Sequence, residues 1–264
     1  MYCRGMARVG QVTPPAFVRL AAHPLRWRLL SELAHSDLRV RELVARVDQP
    51  QNLVSYHLRL LRGAGVVAAT RSSFDGRDSY YHLDLDRCAH ALAGAGAALH
   101  PALRFDPTAP SSPVGKPAAR RPAVLFVCTG NSARSPIAEA LLHRRGAGRV
   151  AVASAGTRPK PDVHADAVRV LREDYGVDIA GQRTRPLDSV TRRRFDYVIT
   201  LCDKAREALP ELAHRPRRLH WSISDPATVA EGYPAFRSAA ADIDTRVRYL
   251  LPVLTQGLSQ EVKQ

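Results

Sequence analysis

The stretch Val124-Leu-Phe-Val-Cys-Thr-Gly-Asn-Ser-Ala-Arg-Ser-Pro136 constrains the fold more than any other part of the chain. An apolar run ends at Cys128, five small or polar residues lead to Arg134, and Ser135-Pro136 open a helical pattern. A strand that stops in a tight loop at a helix N-terminus aims several backbone N–H groups at one point, which makes an anion cradle. Here the cradle would be Thr129, Gly130, Asn131, Ser132, Ala133 and Arg134. Its positive surroundings lower a thiol pKa, so Cys128 is expected to be a thiolate near neutral pH and a nucleophile toward an oxyanion. The planar fork of Arg134 can clamp two oxygens of such a tetrahedral guest.

A chain of 264 residues can hold one large domain or two modest ones. Composition favours two. From Pro101 to Pro122 the text is rich in Pro, Ala and Ser and nearly free of large apolar residues, which reads as a semi-extended linker over 101–121. That leaves a first domain over 14–100 and a second over 122–258, and a linker of this kind predicts weak coupling between them. No apolar run is long enough to span a bilayer and the N-terminus lacks an apolar signal core, so a cytoplasmic protein without a membrane partner is expected. The four cysteines, Cys3, Cys88, Cys128 and Cys202, are too widely and irregularly spaced for a disulfide framework and suit a reducing compartment. The net charge of +14 is shared by both halves and the linker, which fits anionic partners such as nucleic acid or an oxyanion without proving either.

In the first part, helical spacing marks Ala16–Ala22, a helix from Pro24 with Leu25, Leu29, Leu30 and Leu33, and a third with Val40, Leu43, Val44 and Val47. Asp48-Gln-Pro50 breaks the pattern before a fourth helix over 52–62, with Leu53, Val54, Leu58 and Leu61 expected inward. Alternation over 66–70 and 79–85 around Phe74-Asp-Gly-Arg77 gives a two-stranded wing, and a last helix comes after it. The fold expected is a mostly α winged helix-turn-helix. The segment Leu43-Val-Ala-Arg-Val-Asp-Gln-Pro-Gln-Asn-Leu-Val-Ser-Tyr-His-Leu-Arg-Leu-Leu61 resembles the ArsR/SmtB repressors. The resemblance implies a homodimer formed through this domain on a palindromic double-stranded DNA operator, with the fourth helix in the major groove. Gln51, Asn52, Ser55, Tyr56 and Arg59 would then face DNA, and Arg71 and Arg77 on the wing would meet phosphate or the minor groove. His57, beside Leu58, is expected to be structural. Where many arsenite-responsive members carry two cysteines in the third helix, this chain has Arg39 and Arg41, so no soft-metal site forms there. His90 and His100 stand too far apart for a zinc pair. No metal is expected, with Cys3 and Cys88 left as weak candidates.

In the second part, strands and helices alternate, which gives an α/β domain with a parallel sheet and the reactive loop at a strand's C-terminal end. Strands are expected at 123–127, 150–153, 197–201 and 218–222, and helices at 136–145, 164–175 and 236–254, with Ala138, Leu141 and Leu142 in the core. The Cys128-to-Arg134 spacing, Asn131 and Ser135, Ser154-Ala-Gly156 and Asp225-Pro226 together resemble the low-molecular-weight phosphatase family over roughly 122–256, in wording closer to the arsenate reductases of that fold. The resemblance implies that Cys128 attacks, Arg134 and the loop amides hold the oxyanion, Ser135 donates to the sulfur, Asn131 fixes the loop and Asp225 protonates the departing oxygen.

The fate of the covalent adduct separates the possibilities. A phosphatase would hydrolyse a phosphocysteine, whereas an arsenate reductase lets a second thiol attack Cys128 and expel arsenite. Tyr197-Val-Ile-Thr-Leu-Cys202 resembles the segment bearing the second cysteine of thioredoxin-coupled reductases, but their third cysteine is absent from Ala208-Leu-Pro210. Cys202 either pairs with Cys128, or is inert while an external thiol attacks the adduct. No bound cofactor is expected, only an external reductant such as thioredoxin, mycothiol with mycoredoxin, or glutathione. Arg185 stands where some reductases carry a cation-binding carboxylate. Three readings are open: a regulator fused to an arsenate reductase, a regulator fused to a low-molecular-weight protein tyrosine phosphatase, and a transcription factor that senses the oxyanion without turnover.

Overall fold

The computed structural model describes residues 13–106, 120–212, 214–228 and 230–256. Two separate hydrophobic cores divide it, one built from residues between Ala21 and Cys88 and the other from residues between Val124 and Leu254. Cys3 and most of the Pro-rich segment lie outside the described residues; of that segment, Pro101–Leu103 form one 3-10 turn.

The first core is held by helices α1 (Ala16–Ala21), α2 (Pro24–Leu33), α3 (Val40–Val47), α4 (Gln51–Gly63) and α5 (Leu85–Leu99), with strands β1 (Leu38–Arg39), β2 (Val67–Arg71) and β3 (Ser79–Leu83). Pro24 occupies the first turn of α2, where its missing N–H costs no helical bond. Asp48, at φ 50°, ends α3 in the left-handed conformation, and Pro50 immediately precedes α4. Val54, His57, Leu58 and Leu61 form the buried stripe of α4. Leu53, expected inward, is 37% exposed instead, because the stripe runs through residues 54, 57, 58 and 61 and leaves 53 at its edge. The expected two-stranded wing is a three-stranded antiparallel sheet in the order β1-β3-β2, since Leu38 and Arg39 pair with Tyr81 and Tyr80. His57 is buried against the ring of His23, 4.4 Å away, and burial pushes its pKa down.

The second core surrounds a four-stranded parallel sheet of β4 (Ala123–Cys128), β5 (Ala151–Gly156), β6 (Tyr197–Thr200) and β7 (Arg217–His220), in the order β5-β4-β6-β7. β4 lies in the centre, and Val124 to Val127 are fully buried, as an interior parallel strand requires. Helices α6 (Arg134–Gly146), α7 (Ala165–Tyr175) and α9 (Tyr233–Gln256) pack on one another, and Ala138, Leu141 and Leu142 of α6 are fully buried. A short helix, α8 (Asp203–Glu207), unforeseen from the sequence, leaves the end of β6 and packs against β4 and β6. Among the described residues no helix is long and apolar enough to cross a membrane.

The expected weak coupling between the halves is overturned. The turn before β1 covers the free edge of β7: the Asp37 amide donates to the His220 carbonyl (2.8 Å) and the His220 amide donates to Ser36 Oγ (2.9 Å). Asp37, 2% exposed, accepts from the Ser222 amide and from Arg246 of α9, each at 2.7 Å. Tyr80 of β3 meets the His220 ring edge-on at 4.6 Å, and Arg248 and Tyr249 of α9 bind Asp86 of α5. Composition of the linker says nothing about surfaces that meet through residues some 180 positions apart, which is why the chain text misleads here.

Candidate active site

The reactive loop leaves the C-terminal end of β4 and enters α6 at Arg134, and every residue from Asn131 to Ala138 is buried. The carbonyls of Cys128, Thr129, Gly130 and Ser132 are each taken by an amide of the segment after β5: Thr157, Arg158, Lys160 and His164, at 3.1, 2.8, 2.9 and 2.7 Å. Outward-bonded carbonyls leave successive N–H groups turned toward the loop centre, the geometry of an anion nest. Asn131, at φ 47°, makes the tight reversal. Its amide donates to Cys128 Sγ at 3.2 Å, and Ser135 Oγ lies 3.0 Å from the same sulfur.

The Asn131 side chain locks this arrangement. Its Nδ2 donates to Ser135 Oγ (2.9 Å) and Ser154 Oγ (2.8 Å), and its Oδ1 accepts from the Arg185 amide (2.7 Å). Ser154 in turn donates to Glu139 (2.6 Å), whose carboxylate also binds the Arg185 guanidinium through both oxygens (2.8 and 2.9 Å). Sequence reasoning passed over Glu139 and the guanidinium of Arg185 as a pair. The signal was present: a half-buried carboxylate set among the buried apolar residues Ile137, Ala138, Ala140, Leu141 and Leu142 of α6 requires a partner.

Arg134, 6% exposed in its side chain, donates to the Ile223 carbonyl (3.0 Å) and to Asp225 Oδ2 (2.7 Å), and its Nε has no partner among the described residues. A buried guanidinium whose Nε is uncommitted is a site for a further acceptor. Asp225 reaches the loop from the segment after β7 and is partly solvent-exposed, so it bridges the cradle and its mouth. Cys202 stands just past the end of β6, adjacent to β4, and is 2% exposed; its Sγ lies 3.3 Å from Thr129 Oγ1. The structure thus brings Cys128, Thr129, Asn131, Arg134, Ser135, Cys202 and Asp225 together.

The close approach of β5 to the loop depends on Gly156. A Cβ there would stand 2.8 Å from the Thr129 carbonyl oxygen and 3.0 Å from both the Asn131 amide nitrogen and its Cβ. Gly156→Ala is therefore expected to push the loop out of register and to cut turnover by about 10- to 100-fold, the scale of an ångström misplacement. Steady-state kinetics beside a melting curve check this, and turnover within twofold of the unsubstituted protein contradicts it.

Of the sites expected in the first domain, Gln51, Asn52, Tyr56 and Arg59 are exposed on α4, Ser55 is half-buried there, and Arg71 and Arg77 are exposed at the end of β2 and in the wing turn. Arg39 lies at the interface, paired with Glu42, Asp78 and Glu207, and Arg41 pairs with Asp78. Cys88 is buried against the Val66 carbonyl, and burial pushes its thiol up to about 11. Among the described residues, no group of three His, Cys, Asp or Glu side chains gathers as a metal site.

Fold and loop together define a cysteine-and-arginine oxyanion site on a parallel sheet, joined to a winged helix-turn-helix. Residues 123–264 match the family described as low molecular weight phosphotyrosine protein phosphatase, and the chain belongs to that family. Residues 23–69 match bacterial regulatory protein, arsR family, so an ArsR-type helix-turn-helix precedes the phosphatase-fold domain. Among curated relatives, the glutaredoxin arsenate reductase of Synechocystis is 33% identical over 128 residues, which cover 48% of this chain and 95% of that protein. An arsenate reductase of Brevibacillus brevis is 34% identical over 125 residues, covering 47% and 90%. A solved structure described as an arsenate reductase in the phosphate binding state aligns at 32% identity over 49% of this chain and 96% of its own, with a TM-score of 0.45.

Proposed function

We propose that the chain is a bifunctional arsenic-resistance protein: an operator-binding regulator over 14–100, joined through 101–121 to a thiol-dependent arsenate reductase over 122–258. The observation that carries the enzymatic half is the second buried thiol: Cys202 shares the cradle with Cys128 through the hydroxyl of Thr129. Hydrolysis of a phosphocysteine has no use for it, whereas reduction of a pentavalent oxyanion needs two sulfur electron donors.

In this reading Cys128 Sγ attacks arsenic while Arg134 and the loop amides of residues 129–134 hold the oxygens. Ser135 and the Asn131 amide donate to the sulfur, and Asn131 keeps the loop in shape through Ser154 and Arg185. Asp225, brought up by its pairing with Arg134, protonates the oxygen that leaves as water. Cys202 then resolves the adduct, and an external thiol reductant (thioredoxin, mycothiol with mycoredoxin, or glutathione) reopens the disulfide. Such thiol chemistry belongs in the cytoplasm. No bound cofactor or metal enters the scheme. Phosphatase activity on small esters is the second reading, favoured by the carboxyl of Asp225 at the loop, which a phosphate ester's leaving group also requires.

The regulatory half binds double-stranded DNA through α4 and the wing, with Gln51, Asn52, Ser55, Tyr56 and Arg59 at base edges and Arg71 and Arg77 on phosphate. A homodimer forms through exposed apolar residues of α1 and α5, among them Val18, Leu92 and Leu99. Cys3 and Cys88 take no metal in this scheme.

The test gives purified protein arsenate with each reductant in turn and, separately, p-nitrophenyl phosphate. Arsenite formed stoichiometrically with reductant oxidised supports the proposal. Fast ester hydrolysis with no arsenite favours the phosphatase reading, and oxyanion binding without turnover leaves a sensor. For the DNA half, Arg59→Ala is expected to weaken binding to a duplex selected from random sequence by about 10- to 100-fold. Unchanged anisotropy titrations would remove α4 from the DNA interface.

A further inference from the structure

The five residues of α8 connect the second thiol of the site to the DNA-reading elements. Cys202 directly precedes the helix, and its carbonyl accepts from the Arg206 amide at 3.1 Å, so the cysteine and the helix move together. Asp203, the first helical residue, is 1% exposed and spans both domains. Its Oδ2 accepts from the amide (2.6 Å) and hydroxyl (3.0 Å) of Ser73 in the wing, and its Oδ1 accepts from Ser222 Oγ (2.8 Å) and faces His220 Nε2 (3.0 Å). Arg206 binds Glu42, which caps the first turn of α3 by accepting from the Arg39 amide at 2.8 Å. Glu207 binds the Arg39 guanidinium at 3.1 Å, and Arg39 and Arg206 both lie over the Tyr80 ring, at 5.5 and 5.1 Å. Three of five residues in one helix therefore hold the wing and the N-terminus of the first helix-turn-helix helix.

Closing Cys128 and Cys202 into a disulfide draws the Cys202 sulfur away from Thr129. The bond requires sulfurs about 2 Å apart, whereas Cys202 Sγ now rests against the hydroxyl of Thr129. Cys128 ends the interior strand β4, which is paired on both sides, and begins a loop with the carbonyls of residues 128, 129, 130 and 132 anchored. Cys202 lies beyond the last residue of β6, at the head of a helix too short to be stable by itself. Any backbone displacement the bond requires falls on Cys202 and α8, the helix that carries the contacts to Ser73, Glu42 and Arg39.

We propose that the chain has a further function as a thiol-redox-gated DNA-binding protein, in which the Cys128–Cys202 disulfide, transmitted by α8 to Ser73 and Glu42, releases the operator. The inference rests on the reductase reading for its natural oxidant. Arsenate first loses one oxygen as water on forming the Cys128–arsenic bond. Cys202 thiolate then attacks Cys128 Sγ; the S–S bond forms, the S–As bond breaks, and its electron pair stays on arsenic, which departs as arsenite. Two thiols lose two electrons and arsenic gains them, so each turnover leaves one disulfide until an external thiol supplies two electrons. The operator is thus vacated while arsenate is being consumed, without a separate arsenite site in the first domain.

The test uses the full chain and a fluorescent duplex selected from random sequence by the reduced protein. One sample is oxidised by stoichiometric arsenate without reductant, another by diamide, and peptide mapping identifies the linkage. A mapped Cys128–Cys202 disulfide is expected to weaken duplex binding at least tenfold, reversibly on adding dithiothreitol. Ser73→Ala combined with Glu42→Gln, neither of which bonds to Cys128, Cys202 or the oxyanion loop, is expected to bring the oxidised-to-reduced ratio of Kd toward one while arsenite production persists. A mapped disulfide with unchanged Kd overturns the relay and leaves the reductase reading intact. Should diamide but not arsenate form the disulfide, and Kd shift, the relay stands and the reductase reading fails. Failure of both oxidants to join the pair overturns the relay and the resolving role of Cys202 together.

Discussion

Cys128→Ser is expected to abolish arsenite formation, by about 10⁴- to 10⁶-fold, as removal of a covalent nucleophile does, while the melting temperature stays close to that of the parent chain. The two expectations separate because serine keeps the shape of cysteine, losing less volume than a methyl group, and the Cys128 side chain sits in a polar niche. The Asn131 amide and Ser135 hydroxyl that now point at the sulfur can bond a serine oxygen as well. The gap left is smaller than a methyl group and no donor is orphaned, so stability has little reason to change. Chemistry has every reason to change, because a serine hydroxyl can neither attack arsenic at neutral pH in this niche nor, once bonded to it, be attacked by Cys202 to release arsenite with the electron pair. Oxyanion binding should survive in the variant, since Arg134 and the loop amides remain, and isothermal titration with phosphate checks that point. Retention of more than one hundredth of the parent rate would place the electrons elsewhere than on residue 128.

The loop was legible in the sequence because its chemistry is local. The apolar run of β4, the five-residue loop and Arg134 at the head of α6 are consecutive, and no tertiary information is needed to place them. Asp225 and Cys202 were found through resemblance, and the parallel sheet brings them in as the ends of neighbouring strands. The elements that escaped share a different property. β1 has two residues and α8 five, so neither offers a period to read. Both owe much of their place to contacts between the domains, and Ser36, Asp37, Glu42 and Asp203 look in the sequence like ordinary surface polar residues. Their burial is a consequence of the docking itself. Leu53 failed differently: apolar character at the edge of a stripe does not say on which side of the edge a residue falls.

Acid tests the docked interface. Burial alone would raise the pKa of Asp203, but the bonds from His220, the Ser73 amide and the Ser222 hydroxyl outweigh it and hold the carboxyl far below the ordinary range. A depressed carboxylate contributes stability that is complete above its unfolded value, about 4, and is lost as pH falls toward the folded one. Glu42 is lowered as well, with burial opposed by the Arg39 amide and the charge of Arg206, and so adds the same sign. His82, depressed by burial, lets the unfolded chain take up a proton first and starts the decline below about pH 6.5. Urea midpoints are therefore expected to fall from pH 7 to 5 and more steeply below 4. A flat profile between pH 7 and 3 would contradict the burial of these groups.

Asp37→Ala is expected to cost up to about 3–5 kcal/mol, because it takes from a buried guanidinium its one buried carboxylate partner and leaves it only the half-exposed Asp242. The side chains of Asp37 and Arg246 are 3% and 9% exposed, and Asp37 also accepts the Ser222 amide, which would be orphaned in turn. Against a total stability of the usual 5–15 kcal/mol that is a large fraction. It also falls on one interface rather than on either core. Each domain keeps its own buried cluster, so urea unfolding of the variant should split into two transitions where the parent shows one. Replacing both partners by apolar residues, Asp37→Leu with Arg246→Met, removes the stranded charge and is expected to recover most of the loss, short of the Ser222 amide. If the single substitution costs less than about 1 kcal/mol and unfolding stays cooperative, the two halves are not held together through this pair. The route from Cys202 to the wing then has no rigid frame to act against, since a helix can pull on Ser73 only if β7 and the turn before β1 stay fixed relative to one another.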